Sequence, residues 1–142
     1  MNDKARYVFD TNVIISALLF ERSKPAQAFY AALDRGNILL SQPVLKELNE
    51  VLAREKLKPY LLFEERERFI IALMSEALFI DIKETIRVCR DPEDDKFLEL
   101  AVNGGAACII SGDEDLLILN PFRNIPIIKP DKFLTSLNTE KI

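Results

Sequence analysis

Four acids sit in this chain where chemistry could be built from them: Asp10, Glu47, Asp95 and Asp113. Asp10 is the most pointed. It follows Tyr7-Val8-Phe9 directly, and solvation is a poor reason for an acid to end an apolar run. Carboxylates gathered in one place repel each other and are costly unless a cation sits among them. Oxygen ligands with no sulfur or imidazole suit Mg²⁺ or Mn²⁺. Such an ion keeps several waters, and it can orient and activate one for in-line attack on a phosphodiester. Asn12, Thr11 and Ser111 flank the acids as supporting groups, and Asp94 stands beside Asp95 as a competitor for its role.

Composition narrows the alternatives. The chain contains no histidine, which removes Ser-His-Asp and Cys-His catalysis, two-histidine zinc sites and imidazole acid–base chemistry. Cys89 and Cys108 are widely separated, show no metal or redox spacing, and read as reduced core or near-core thiols. A net charge of −4 argues against a large phosphate-gripping surface. It leaves nucleic acid open, because bound cations can supply local positive charge. No apolar run spans a bilayer, and Met1-Asn2-Asp3-Lys4 lacks a signal segment, so the chain reads as cytoplasmic, with no membrane partner.

The acids need elements to position them. Strands are expected at Arg6–Phe9, Ile38–Ser41, Leu78–Ile80, Ala107–Ser111 and Ile125–Ile128, where Pro126 favours an edge. Helices are expected from Val13 to Phe20, Pro25 to Arg35, Gln42 to Leu52, Phe63 to Ala77, from Asp91-Pro92 to Gly104, and from Pro130 to Leu137. Leu116 to Leu119 reads as a short helix or turn, and 138–142 as a frayed tail of a single domain covering 1–142. Alternating strands and helices predict an α/β fold: a parallel sheet, helices on both faces, right-handed crossovers. Returning helices then start at the strands' C-terminal edge. Asp10, Glu47, Asp95 and Asp113 all fall on that edge, and neighbouring first and fourth strands would put Asp10 and Asp113 at a topological switch point.

Each residue alone has a plainer explanation. Asp91 reads as a helix cap, Glu93, Asp94 and Asp95 as acids matched to a helix dipole, and Asp115 as a turn residue. Asn12 could cap the helix that follows it, and Glu47 could simply be solvated. Arg22, Lys24, Arg87 and Arg90 read as surface charges, and Arg54, Lys56 and Lys58 as partners of a helix C-terminus. The common location of the acids outweighs these separate readings.

At these residues the chain resembles the PIN domain family of metal-dependent nucleases, which includes toxin components of toxin–antitoxin pairs. Val8-Phe9-Asp10-Thr11-Asn12 is similar to its opening motif, Glu47 to its second acid, Asp95 with Phe97, Leu98 and Ala101 to its third, and Ser111-Gly112-Asp113 to its last. The resemblance implies a three-layer α/β/α sandwich around a mostly parallel five-stranded sheet. It also implies Mg²⁺- or Mn²⁺-dependent cleavage of RNA, a homodimer or larger assembly, and silencing by a cognate antitoxin. Two other classes compete. A phosphorylated receiver or phosphatase would need acids that Asp10-Thr11-Asn12 and Asp81-Ile82-Lys83 do not provide. A non-catalytic RNA- or protein-binding module would have no reason to keep the acids.

Overall fold

The computed structural model describes residues 4–140. The five strands are β1 (Arg6–Phe9), β2 (Asn37–Leu40), β3 (Leu78–Phe79), β4 (Cys108–Ile110) and β5 (Ile127–Ile128). They form one sheet in the order β3-β2-β1-β4-β5, and every pairing is parallel. The helices are α1 (Thr11–Leu19), α2 (Lys24–Arg35), α3 (Gln42–Leu52), α4 (Phe63–Glu76), α5 (Asp95–Gly104), α6 (Glu114–Leu117) and α7 (Pro130–Glu140). Because α7 reaches Glu140, part of the expected frayed tail is helical. The rest of that tail, 141 and 142, lies outside the described residues, as do 1–3.

The sheet is buried on both faces, which is why its strands read as continuous apolar runs rather than alternating ones. Val8, Phe9, Ile38, Leu39, Leu40, Ile109 and Ile110 are all buried. Side chains of a strand alternate in direction. Tyr7 and Phe9 therefore share a face, and there they meet Phe133 of α7 and Phe29 of α2 edge to face. The register pairs Tyr7 with Ile38, so Val8 and Leu39 share the opposite face. That face is covered by α5, and it packs so closely that a Cβ on Gly104 would lie 2.6 Å from Leu39 Cδ1.

Local signals set the helix starts. Ser23 caps α2 and Ser41 caps α3, each accepting from the backbone N–H three residues on, with a proline in the first turn. Helix α5 ends at Gly105, whose left-handed φ of 65° suits glycine. Strand β5 is an edge strand, as Pro126 implied; it is shorter than expected because Phe122 and Ile125 close a tight turn on each other. Among the described residues no helix is long and apolar enough to cross a membrane.

Candidate metal centre

Sheet order fixes the site. From β1 the chain moves outward to β2 and β3 on one side and to β4 and β5 on the other, so β1 and β4 flank the switch point. Asp10 leaves the end of β1, and Ser111 and Asp113 leave the end of β4. Backbone pairing continues one step beyond the strand, with Asp10 N–H donating to Ile110 O at 3.1 Å.

Asp10 is 5% exposed and fixed from two sides. Its Oδ1 accepts the Val13 N–H at 3.0 Å, and its Oδ2 accepts the Ser111 hydroxyl. Helix α1 therefore begins at Thr11 with Asp10 as its N-cap, and Asn12 is released from the capping role open to it in the sequence. Burial pushes the Asp10 carboxyl above its ordinary range, against the pull of the Ser111 and Val13 hydrogen bonds, and Asp113 adds repulsion. Ser111, fully buried, also accepts the Asp113 N–H at 2.9 Å, so one hydroxyl ties the first acid to the last.

The adjacent acids Asp94 and Asp95 point to different places. Asp95 is buried, and its Oδ1 accepts the backbone N–H groups of Val88 at 3.1 Å and Cys89 at 2.8 Å. Burial would raise its carboxyl, but those two hydrogen bonds and the charge of Arg87 outweigh it and the pKa falls. Asp95 lines a cavity with Pro43, Ile86, Arg87 and Cys89, away from Asp10 and Asp113. The structure thus brings Asp10, Glu47 and Asp113 to one groove of about 480 Å³, and with them Asp94 rather than Asp95. Asp94 closes the 3-10 turn Pro92–Asp94 ahead of α5 and stands on the helical face of Phe97, which lines the same groove.

Oxygens of Asp94, Asp113 and Asp115 lie within 4.8 Å of one another. Asp94 Oδ2 is shielded from solvent and has no hydrogen-bond partner. Burial, and then the facing Asp113, push the Asp94 carboxyl up to about 7. Asp115 has other commitments: its backbone N–H donates to Asp113 Oδ1 at 2.9 Å, and its carboxylate pairs with Arg90 at 2.7 Å. This donor set fits a hard divalent cation. It offers carboxylate oxygens only, one is an orphan, and the mutual repulsion is of the kind an ion would relieve.

Glu47 is at the margin of the groove. Thr11, 4% exposed, donates its hydroxyl to Oε1, and Lys96 donates to Oε2 at 2.6 Å. Lys96 also reaches Glu93 at 3.1 Å. Burial works against the Lys96 ammonium, but the bonds to Glu47 and Glu93 more than compensate and its pKa rises. Sequence reading missed Lys96. The available signal was a lysine in the first turn of a helix, where it opposes the helix dipole. Arg54, expected to serve only its own helix end, lines the acid groove. On the other side of Asp10 and Asp113 a second groove of about 690 Å³ carries Lys24 and Lys129 with Asn12 and Gly112.

The receiver-type alternative finds little support. Asp81, the acid after β3, forms an exposed pair with Lys83 at 2.9 Å instead of joining the other acids. Cys89 is a half-buried free thiol, and burial and then Asp95 push it up to about 12, in keeping with the reduced thiol read from the sequence.

Comparison with known proteins agrees with this fold. A family model of the PIN domain matches residues 6–115. An uncharacterized protein of Methanocaldococcus jannaschii is 34% identical over 118 residues, which is 82% of this chain and 76% of that protein. Among solved structures, VapBC2 from Rickettsia felis bound to a DNA fragment from its promoter aligns with a TM-score of 0.62 at 15% identity, over 86% of this chain and 96% of that one. The PAE2754 protein of Pyrobaculum aerophilum aligns with a TM-score of 0.61 at 15% identity, over 95% of this chain and 90% of that one.

Proposed function

The chain belongs to the PIN domain family, and from that premise we propose that it is a divalent-metal-dependent ribonuclease, the toxin component of a toxin–antitoxin pair. The observation that carries this reading is the orphaned, solvent-shielded Oδ2 of Asp94 facing Asp113 in a groove shared with Asp10. Asp10, Asp94 and Asp113 would hold Mg²⁺ or Mn²⁺, with Glu47 beside them. When bound, such an ion supplies a Lewis acid to a phosphate oxygen and to the attacking water.

The chain's own residues do the rest. Ser111 and the Val13 N–H lock Asp10 in one rotamer, so its orientation is set before any substrate arrives. Lys24 and Lys129 flank the acids on one side and Arg54 on the other. They offer phosphates a path across a chain whose net charge is −4. Asn12 lines both grooves and can donate to a phosphate oxygen or a water.

The partner reading rests on the resemblance to toxin members of the family and on the likeness in fold to VapBC2. A homodimer and a cognate antitoxin follow from the same resemblance. Purified protein is expected to cut RNA with Mn²⁺ or Mg²⁺ and to stop with EDTA or on Asp10→Asn. Cleavage that survives both treatments overturns the proposal.

A further inference from the structure

Resting on the metal-site reading above, we propose that Lys96 is a positioning residue that clamps Glu47 against Thr11 and withholds its carboxylate from the ion, which Asp10, Asp94 and Asp113 hold without it. The geometry is specific. Glu47 accepts from the buried Thr11 hydroxyl at Oε1 and from the Lys96 ammonium at Oε2, 2.6 Å away, whereas Asp10, also engaged at both oxygens, accepts only from the neutral Val13 N–H and Ser111 hydroxyl. The Lys96 and Glu47 side chains are 13% and 24% exposed, so this is not a solvated surface pair.

Helix stability does not explain the lysine. Lys96 is the second residue of α5, where the helix dipole favours anions. Its partners come from elsewhere: Glu47 is 49 residues away on α3, and Glu93 lies in the preceding turn. The pair joins α3 to α5, linking the acid groove that Glu47 lines to the adjoining cavity that Lys96 lines. It also sets the charge of the site. With Glu47 neutralised by Lys96, three aspartates face the ion; without Lys96, a fourth carboxylate becomes free to turn inward.

The test is Mn²⁺ binding to the full chain, read as loss of the free-ion EPR signal, with thermal unfolding as the control for folding. Wild type and Lys96→Arg are expected to bind with equal affinity. Lys96→Met is expected to bind roughly ten-fold tighter, because it removes a nearby positive charge and frees a ligand. In a Glu47→Gln background the same change should tighten binding by only about three-fold, the part due to charge alone. If Lys96→Met does not fold, Lys96→Gln carries the comparison. An equal effect in both backgrounds, no tightening, or a Lys96→Arg that behaves like Lys96→Met overturns the role of Lys96 while the ion site stands. Absence of Mn²⁺ binding in wild type overturns both.

Discussion

Exchanging the fates of two neighbouring aspartates separates a ligand from a structural acid. Asp95→Ala removes the acceptor of two backbone N–H groups, Val88 and Cys89. Each lost bond to a charged acceptor is worth about 1.5–3 kcal/mol. Val88 is 52% exposed, so water can replace part of this; the net cost is then about 2–3 kcal/mol. The unfolding entropy of a 142-residue chain is about 0.3 kcal/mol/K, so Tm should fall by roughly 7–10 °C. Asp94→Asn is close to isosteric and relieves the repulsion with Asp113, so the metal-free Tm should hold or rise slightly. Its effect appears with Mn²⁺. At 100 times its Kd, the ion should stabilise wild type by about 2.7 kcal/mol, or roughly 9 °C. Losing a partner of a metal ligand costs about 10–100-fold in affinity, and losing a ligand should reach at least the upper end. With affinity down about 100-fold, the same Mn²⁺ concentration gives about 0.4 kcal/mol, close to 1 °C. The assay is thermal unfolding of wild type and both variants, with and without Mn²⁺. An Asp95→Ala protein that keeps its metal-free Tm but loses the Mn²⁺ shift, beside an Asp94→Asn protein that keeps both, would refute the assignment.

Other consequences are open to measurement. Asp94, raised to about 7, holds a proton in the folded state that the unfolded chain releases above its lower carboxylate pKa, and Asp10 is shifted in the same direction. Metal-free stability should therefore rise as pH falls from 8 to 5, by about 1 kcal/mol once solvent screening is allowed for. Asp95, whose pKa is lowered, gives stability above its unfolded value and loses it only as pH falls further. With Mn²⁺ the trend between pH 8 and 5 should reverse, because protons compete for the ligands; melting curves with the same slope in both conditions would count against the site. Ser111→Ala leaves Asp10 Oδ2 without its donor and should cost about 1–3 kcal/mol and about ten-fold in Mn²⁺ affinity. Unchanged affinity in a titration would show that Ser111 only ends a strand. Lys24→Ala with Lys129→Ala should weaken RNA binding and reduce the salt slope by up to about 1.4, two contacts at about 0.7 each. An unchanged slope would remove both lysines from the substrate path.

Much of this arrangement is written locally. Apolar runs ending in small polar residues mark β1, β2 and β4, and prolines after Ser23 and Ser41 mark helix starts, because capping and φ restriction depend on near neighbours. A parallel sheet puts Asp10 and Asp113 on the same edge, and the adjacency of β1 and β4 brings them together there. What the sequence hid depends on contacts between distant segments. The choice between Asp94 and Asp95 depends on where the backbone at Val88 and Cys89 lies against α5. Helical periodicity puts Asp94 on the face of Phe97, Leu98 and Ala101, but the resemblance in spacing to Asp113 favours Asp95, and the sequence alone does not decide between them. The Lys96–Glu47 pair joins two helices far apart in sequence, and no local rule links them.

The most direct test is a crystal structure with Mn²⁺ and its anomalous scattering map. The account predicts a peak within about 2.0–2.3 Å of carboxylate oxygens from Asp10, Asp94 and Asp113, with Asp95 still bound to the Val88 and Cys89 N–H groups. A peak held by Asp95, or no peak at a Mn²⁺ concentration that supports cleavage, would contradict it.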